Sequence, residues 1–411
     1  GEASSESVSV SAAWDAVGVF ESEAPVSSGG VTRIENSAGQ DVLVYLYPKD
    51  GTHDNPFSSA ERYDIYIQTL TNPFLGYDQN LDFGPINSIG EPKYSRPAYY
   101  GEDGVIFITY VGIDGNLYII DEIGEAQVTD EGGFNSVGIS QDGNTIVLTQ
   151  DDSSDIIVLD LVKEMTKVIS ILGPDYTSEG LDTSFVNRVD SVAFNYTGKK
   201  LIFDYASCVP SFEVSCETAS APEFWSVGIY DLDSDQFSYP FPSQNADVDL
   251  GFPQFSNTTD RYIIFDLVDY TNLETDKKAE SLVLIYDTEE KSFQTAGTSN
   301  LGETREFTFG LPSFSGDDDY IVFQVLTDTD GRVVRLDLSD DFLVDQNSFE
   351  ELNDFDVALP YVKRDQQRRI SRELVTDKSD IDFGTLRGEA STIGTLINQG
   401  NGDLEITNIT R

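Results

Sequence analysis

One histidine, His53, stands in the 411 residues of the chain, within the segment GTHDNP. A Ser-His-Asp arrangement would have to be built on it, and no G-x-S-x-G elbow accompanies it. A single histidine in such a segment reads as a solvated loop residue. Zinc chemistry of the His/Cys type is short of ligands, since the only cysteines are Cys208 and Cys216. Thr197-Gly198-Lys199 lacks the preceding G-x-x-x-x-G of a phosphate loop and reads as a hairpin turn. Carboxylates remain. With 73 Asp and Glu in the chain, a pair suited to glycosidic chemistry arises by number alone, so no pair stands out. Asp231, Asp233 and Asp235, and likewise Asp328 and Asp330, have the first ligand spacing of calcium loops but lack the closing Glu. Both runs fall between strand-like segments, where Asp and Gly serve hairpins for backbone reasons. They stand either as structural turns or as weak calcium sites; no other cofactor is expected.

The charge balance narrows the partners. Against those 73 acids stand 25 Lys and Arg, a net charge of −48. Such a surface repels nucleic acid and anionic membranes and suits salty water, where self-repulsion is screened. No apolar run approaches the roughly 18–20 residues needed to span a bilayer. The opening GEASSESVSVS reads as a mature N-terminus left by signal removal, either secreted or tethered through a lipid anchor. The expected location is therefore extracytoplasmic: periplasmic, cell-surface or secreted, in a bacterium of marine or halophilic habit. The close pair in CVPSFEVSC fits a Cys208–Cys216 disulfide across the base of a loop, with two free thiols as the alternative.

The elements that must carry these residues repeat. The stretch GLPSFSGDDDYIVFQVLTDTDGRVVRLDLSDDF, residues 310–342, reads as strand, turn, strand, turn, strand. Taking Pro312 as its anchor, matching stretches begin at Pro97, Val137, Val192 and Pro253, with weaker matches at Thr32 and Pro360. A second strand follows each strong anchor (GVIFITY, NTIVLTQ, LIFDY, YIIFDLV, YIVFQVL). A third ends in Asp121, Asp160, Asp231, Asp287 or Asp337, and a weaker fourth follows a polar turn. An Asp in that place can accept hydrogen bonds from the turn that follows. Four short antiparallel strands in repeats of 40–61 residues are the signature of propeller blades, which hide both faces of every sheet against their neighbours.

The pattern P-x-F-S-x-D/G-G-x-x-I-x-F followed by I-Y-D-L resembles the WD40-like PD40 repeats of TolB-type propellers, over residues 31–365. The resemblance implies an all-β propeller and little about function. Six blades are usual there. Five strong and two weak anchors favour seven here, with Pro360 opening a last blade completed by N-terminal strands near Val8 and Val17. Farther on, Asp382-Phe383-Gly384-Thr385 and Leu396-Ile397-Asn398-Gln399-Gly400 resemble the opening strands of an abnormal-spindle/hydin-like immunoglobulin fold. Only about three of the roughly seven strands of such a sandwich are present, which reads as a truncated chain or else as a half-sandwich that another chain completes by strand addition. The expected organisation is an N-terminal segment over 1–30, a propeller over 31–369 and a partial β-sandwich over 370–411.

Between second and third strands the chain lengthens at 49–62, 206–224 and 268–281. Long loops on a rigid scaffold are where recognition sits. These carry His53, Phe57, Phe212, Phe224, Trp225 and Tyr270 beside the cysteine pair. The expectation is a non-catalytic module that binds or scaffolds a protein or glycan. Two alternatives stand: a carboxylate-based carbohydrate-active enzyme in the propeller channel, and a structural subunit whose C-terminal half-sandwich is completed by another copy through strand addition.

Overall fold

In the computed structural model, the described residues are 8–9, 40–48, 63–70, 82–86, 91–102, 105–121, 125–130, 132–163, 165–174, 185–208, 223–241, 248–270, 280–298, 308–326, 331–352, 358–364, 374–376 and 396–398. Every regular element among them is a β-strand, and six four-stranded antiparallel sheets follow one another along the chain as the blades of a propeller. Blade I is made of Asp41–Pro48, Tyr63–Leu70 and Asp82–Ile86, with Ala358–Arg364 as its innermost strand. Blade II runs Ala98–Glu102, Val105–Val111, Leu117–Ile120 and Glu125–Gln127. Blade III is Phe134–Ile139, Thr145–Gln150, Asp155–Asp160 and Met165–Ser170. Blade IV is Phe185–Phe194, Lys200–Cys208, Glu223–Asp231 and Gln236–Ser238. Blade V is Val248–Phe255, Tyr262–Asp269, Glu280–Asp287 and Ser292–Thr298, and blade VI is Thr308–Phe314, Tyr320–Leu326, Gly331–Asp337 and Glu350–Glu351.

The count is six rather than seven, because Pro360 opens no blade of its own. Its strand pairs antiparallel with Asp41–Pro48, Tyr361 opposite Val44 and Arg364 opposite Asp41, so a segment from the end of the first compact unit closes the first sheet. That seam removes the open edge for which the N-terminal strands were invoked. Val8–Ser9 instead adds a fifth, outermost strand to blade III, opposite Thr166 and Met165. Val17 lies outside the described residues.

The unbroken apolar runs of the second strands follow from burial on both faces. In blade IV, Leu201 and Phe203 pack against blade III, while Ile202 between them packs against blade V. Six buried clusters result, one at each blade–blade interface around the ring.

Three of the acids ending the third strands are turn chemistry, while Asp337 accepts from the Arg335 guanidinium instead. Asp160 Oδ1 accepts from the amides of Val162 and Lys163, Asp231 Oδ1 from Asp233 and Ser234, and Asp287 Oδ1 from Glu289 and Glu290. One turn admits only glycine: Gly115 has φ +75°, and a Cβ there would lie 2.6 Å from the Gly133 amide nitrogen. Gly115→Ala is expected to cost about 1–3 kcal/mol of unfolding free energy, read from urea melts.

Two compact units divide the chain, Gly1–Gln366 and Gln367–Arg411. In the second, Leu374–Thr376 pairs antiparallel with Leu396–Asn398. Asp382–Thr385 lies outside the described residues. No helix among the described residues is long and apolar enough to cross a membrane.

Candidate functional site

Five of the six innermost strands, all but that of blade II, carry an irregularity in register, and in blades III to VI a polar side chain from the second strand stands beside it. The second strands read apolar until one polar residue: Thr149 in blade III, Asp204 in IV, Asp266 in V and Gln324 in VI. Thr149 Oγ1 accepts from the Ser136 amide (3.0 Å) and donates to the Asp190 carbonyl of the next blade (2.9 Å). Asp204 accepts from Ser191 N of its own blade (2.6 Å) and from Phe252 N of blade V (2.9 Å). Asp266 accepts from Leu311 N of blade VI (3.1 Å), and Gln324 from Leu359 N of blade I (3.1 Å). Phe252, Leu311 and Leu359 have φ of +48°, +55° and +52°, and each precedes a proline. A bulky residue avoids that conformation, and the bond from the preceding blade holds it there. The polar residues therefore stitch neighbouring blades together.

Glycines make room for the stitching. A Cβ on Gly251 would lie 2.8 Å from Asp266 Oδ1, and one on Gly310 would lie 2.9 Å from Oδ2.

Inside this ring lies a cavity of about 310 Å³, lined by the innermost strands of blades I to V and the residues flanking them. Arg96 lines it and reaches across to donate through Nη2 to the carbonyls of Pro312 (3.2 Å) and Pro360 (3.3 Å). Its guanidinium carbon stands 5.8 Å from the centre of the Phe252 ring. Burial lowers the Arg96 pKa to about 10, against the opposing pull of Asp266 and other neighbours. Burial likewise raises Asp266 to about 6 and, with the nearby Asp190, raises Asp204 to about 7. Asp190 is itself pushed up by burial, while the Asn135 amide donates to its Oδ1. Lys363 lines the cavity from blade I, and burial depresses its ammonium to about 8.

The residues singled out by loop length fall elsewhere. Trp225, the third residue of the third strand of blade IV, stands opposite Ala206, and Arg188 sits across the same Ala206 from the innermost strand. The small residue between them lets the guanidinium carbon lie 4.9 Å from the centre of the indole system. Trp225 N donates to Asp249 Oδ1 of blade V (3.2 Å). Tyr270, just past the second strand of blade V, is 36% exposed. Phe224 is described only by its backbone, opposite Ser207. His53, Phe57, Phe212 and Cys216 lie outside the described residues, whereas Cys208 is fully buried and no described cysteine is free. Arg188 and Asp249 were not singled out by sequence, because a charged residue near a strand end carries no signal of what it stacks on.

Among the acids considered for calcium, Asp328 and Asp330 lie outside the described residues. Asp231 is taken by the Asp233 and Ser234 amides and the Ser234 hydroxyl, Asp233 by Lys199 (2.8 Å), and Asp235 by Lys167 and the Tyr230 hydroxyl. Among the described residues no group of three or more His, Cys, Asp or Glu side chains is placed to hold a metal. Calcium at this turn would have to displace both lysines. Millimolar calcium is therefore expected to raise the melting temperature no more than magnesium at equal concentration; a calcium-specific rise would speak for a site.

No family model and no curated protein matches the sequence. Among solved structures, the fold is similar to TolB from Acinetobacter baumannii, at 14% identity and TM-score 0.49 over 82% of this chain and 68% of that one. It is also similar to a putative TolB from Agrobacterium tumefaciens, at 14% and 0.41 over 78% and 91% of the two chains. An oligogalacturonate lyase in complex with manganese stands at 13% and 0.40 over 77% and 74%. The likeness is one of fold; the six blades rest on the sheet topology.

Proposed function

We propose that this chain is an extracytoplasmic, non-catalytic propeller that binds or scaffolds a protein or glycan partner. The supporting observation is the Arg188–Trp225–Asp249 cluster. It lies near the end of blades IV and V where the second and third strands, nine and eight residues long respectively, run toward the lengthened connections. An indole stacked against a guanidinium, on a backbone whose amide is tied to the next blade, is a preorganised recognition element. In the same reading, a Cys208–Cys216 disulfide braces the blade IV connection, and an N-terminal lipid anchor or secretion keeps the chain outside the cytoplasm.

The enzymatic alternative has Asp190 and Asp204 in and behind the cavity wall. Both Asp204 oxygens already accept backbone amides, and Asp190 is engaged by Asn135, so binding is the better use of this scaffold. The alternative of assembly by strand addition at the C-terminus is tested by the oligomeric state of the full chain.

The Trp225→Ser/Tyr270→Ser double variant is expected to weaken partner binding at least about tenfold, as loss of aromatic anchors worth about 2 kcal/mol or more does. A partner isolated on the wild type and bound equally by the folded double variant would remove this face from consideration. Release of reducing ends from acidic or neutral oligosaccharides by the wild type, abolished in Asp190→Asn, would put the enzymatic reading first.

A further inference from the structure

The cavity holds a charge that no described residue answers. Lys363 stands three residues after Pro360, and the same place in the other blades is held by Tyr100, Ser140, Asn195, Ser256 and Ser315. Three of those short polar residues are consumed by their own hairpins. Ser140 donates to Asp142 (2.6 Å), Asn195 Oδ1 accepts from Lys199 N (2.9 Å), and Ser315 Oγ accepts from Tyr320 N (3.1 Å). Blade I has no such hairpin, because its innermost strand comes from a segment more than three hundred residues after its second. Lys363 therefore has no turn to serve, and it lines the cavity instead. Its neighbour Arg364 pairs with Asp41 and Asp317, while the Lys363 side chain has neither a hydrogen bond nor an ion pair among the described residues.

The other cation of the lining is better supplied. Arg96 has two carbonyls and lies in the field of Asp266 and Asp204, yet its buried Nε has no hydrogen-bond partner among the described residues. The surrounding wall is largely apolar and aromatic, with Tyr94, Val192, Phe252, Pro253 and Tyr361. At about 310 Å³ the cavity falls at the small end of the roughly 300–1,000 Å³ range of ligand pockets. A half-buried ammonium without a counter-ion is partly stripped of water, and an anionic ligand that supplied one would relieve that cost. A dianionic phosphate asks for more cationic donors than one lysine and one spare Nε, and it would face Asp190, Asp204 and Asp266 nearby. A monoanion with an apolar body matches both the charge and the walls.

We propose that the central cavity binds a small organic monocarboxylate, its carboxylate paired with Lys363 and served by Arg96 Nε, its body against Phe252 and Tyr361. This site is independent of the Trp225 face, so either can fail without the other.

Titration calorimetry with acetate, benzoate and phenylacetate, and with inorganic phosphate at matched ionic strength, tests it. At pH 7 the wild type is expected to bind at least one of the aromatic carboxylates saturably, tighter than about 10 mM, and phosphate not at all. Lys363→Met should weaken that binding at least about tenfold, while Lys363→Arg and the surface variant Lys199→Met retain it. Binding should fade as the pH rises through about 8, where the ammonium is lost. Equal binding by the folded Lys363→Met protein overturns the proposal, as does saturable binding of phosphate alone, or no saturable binding of any carboxylate.

Discussion

Asp204→Ala is expected to lower the unfolding free energy by about 3–5 kcal/mol, the largest loss of any single substitution considered. The carboxylate is 2% exposed and accepts from two backbone amides belonging to two different blades. Truncation leaves both buried donors without their partner, at about 1–3 kcal/mol each. It also frees Phe252 from the bond that holds its left-handed backbone, so the loss is felt in blade V as well as blade IV. Urea unfolding followed by tyrosine and tryptophan fluorescence measures it. A loss below about 1 kcal/mol, the worth of one ordinary hydrogen bond, would mean that the stitching is dispensable. Asp204→Asn keeps one acceptor and turns the other position into a donor facing an amide, so it should fall between the wild type and the alanine variant.

The same carboxylates set a pH dependence of unusual direction. Burial holds Asp204 at about 7 and Asp266 at about 6, above the roughly 3.9 of an unfolded Asp. A group raised on folding contributes stability that is fully present below about pH 4 and lost as the pH rises through 6–7. The wild type should therefore gain stability on acidification from pH 8 to pH 5, and relief of the repulsion among the acids of a −48 chain acts in the same sense. Asp204→Asn removes part of that slope, which separates the local effect from the global one.

Lys363→Met is expected to act in the opposite direction, stabilising the unliganded protein by about 1–3 kcal/mol at pH 7. Each unit of pKa shift corresponds to about 1.4 kcal/mol, and burial moves this ammonium from 10.5 to about 8. Contact with the cavity space reduces the full value, since water there screens the charge. A depressed lysine penalises folding wherever the unfolded chain carries the proton at no cost. The wild type should thus regain stability as the pH rises from about 8 to about 10.5, and the advantage of the methionine variant should vanish over that interval. Comparing the two proteins cancels the titration of the tyrosines. If Lys363→Met is instead destabilised at pH 7 and equal to the wild type at pH 10.5, the ammonium has a counter-charge within the protein.

Much of the fold is legible along the chain. The runs LIFDY, YIIFDLV and YIVFQVL announce second strands buried on both faces, and the Asp after each third strand announces a turn. Even the stitching residues leave a trace, since Asp204, Asp266 and Gln324 each interrupt an apolar run at the same place. What the trace omits is the partner: Phe252, Leu311 and Leu359 lie 35 to 48 residues farther on, in the next blade. The site was harder to read. Trp225 and Tyr270 were reached through loop length, whereas Arg96, Arg188, Asp249 and Lys363 look like ordinary surface charges until the ring closes around or beside them.

The sequence by itself determined a β-propeller of four-stranded blades, because local alternation, turn residues and repeat length are properties of neighbouring residues. Only the tertiary structure decided the number of blades and the character of the channel. Both depend on one pairing, Ala358–Arg364 with Asp41–Pro48, that joins segments more than three hundred residues apart. A weak repeat at Pro360 is equally compatible with a new blade or with the missing strand of the first, and closure of the open sheet edge selects the second. That same closure carries Lys363 from the end of an unremarkable strand to the wall of the cavity, where its charge has no answer within the described protein.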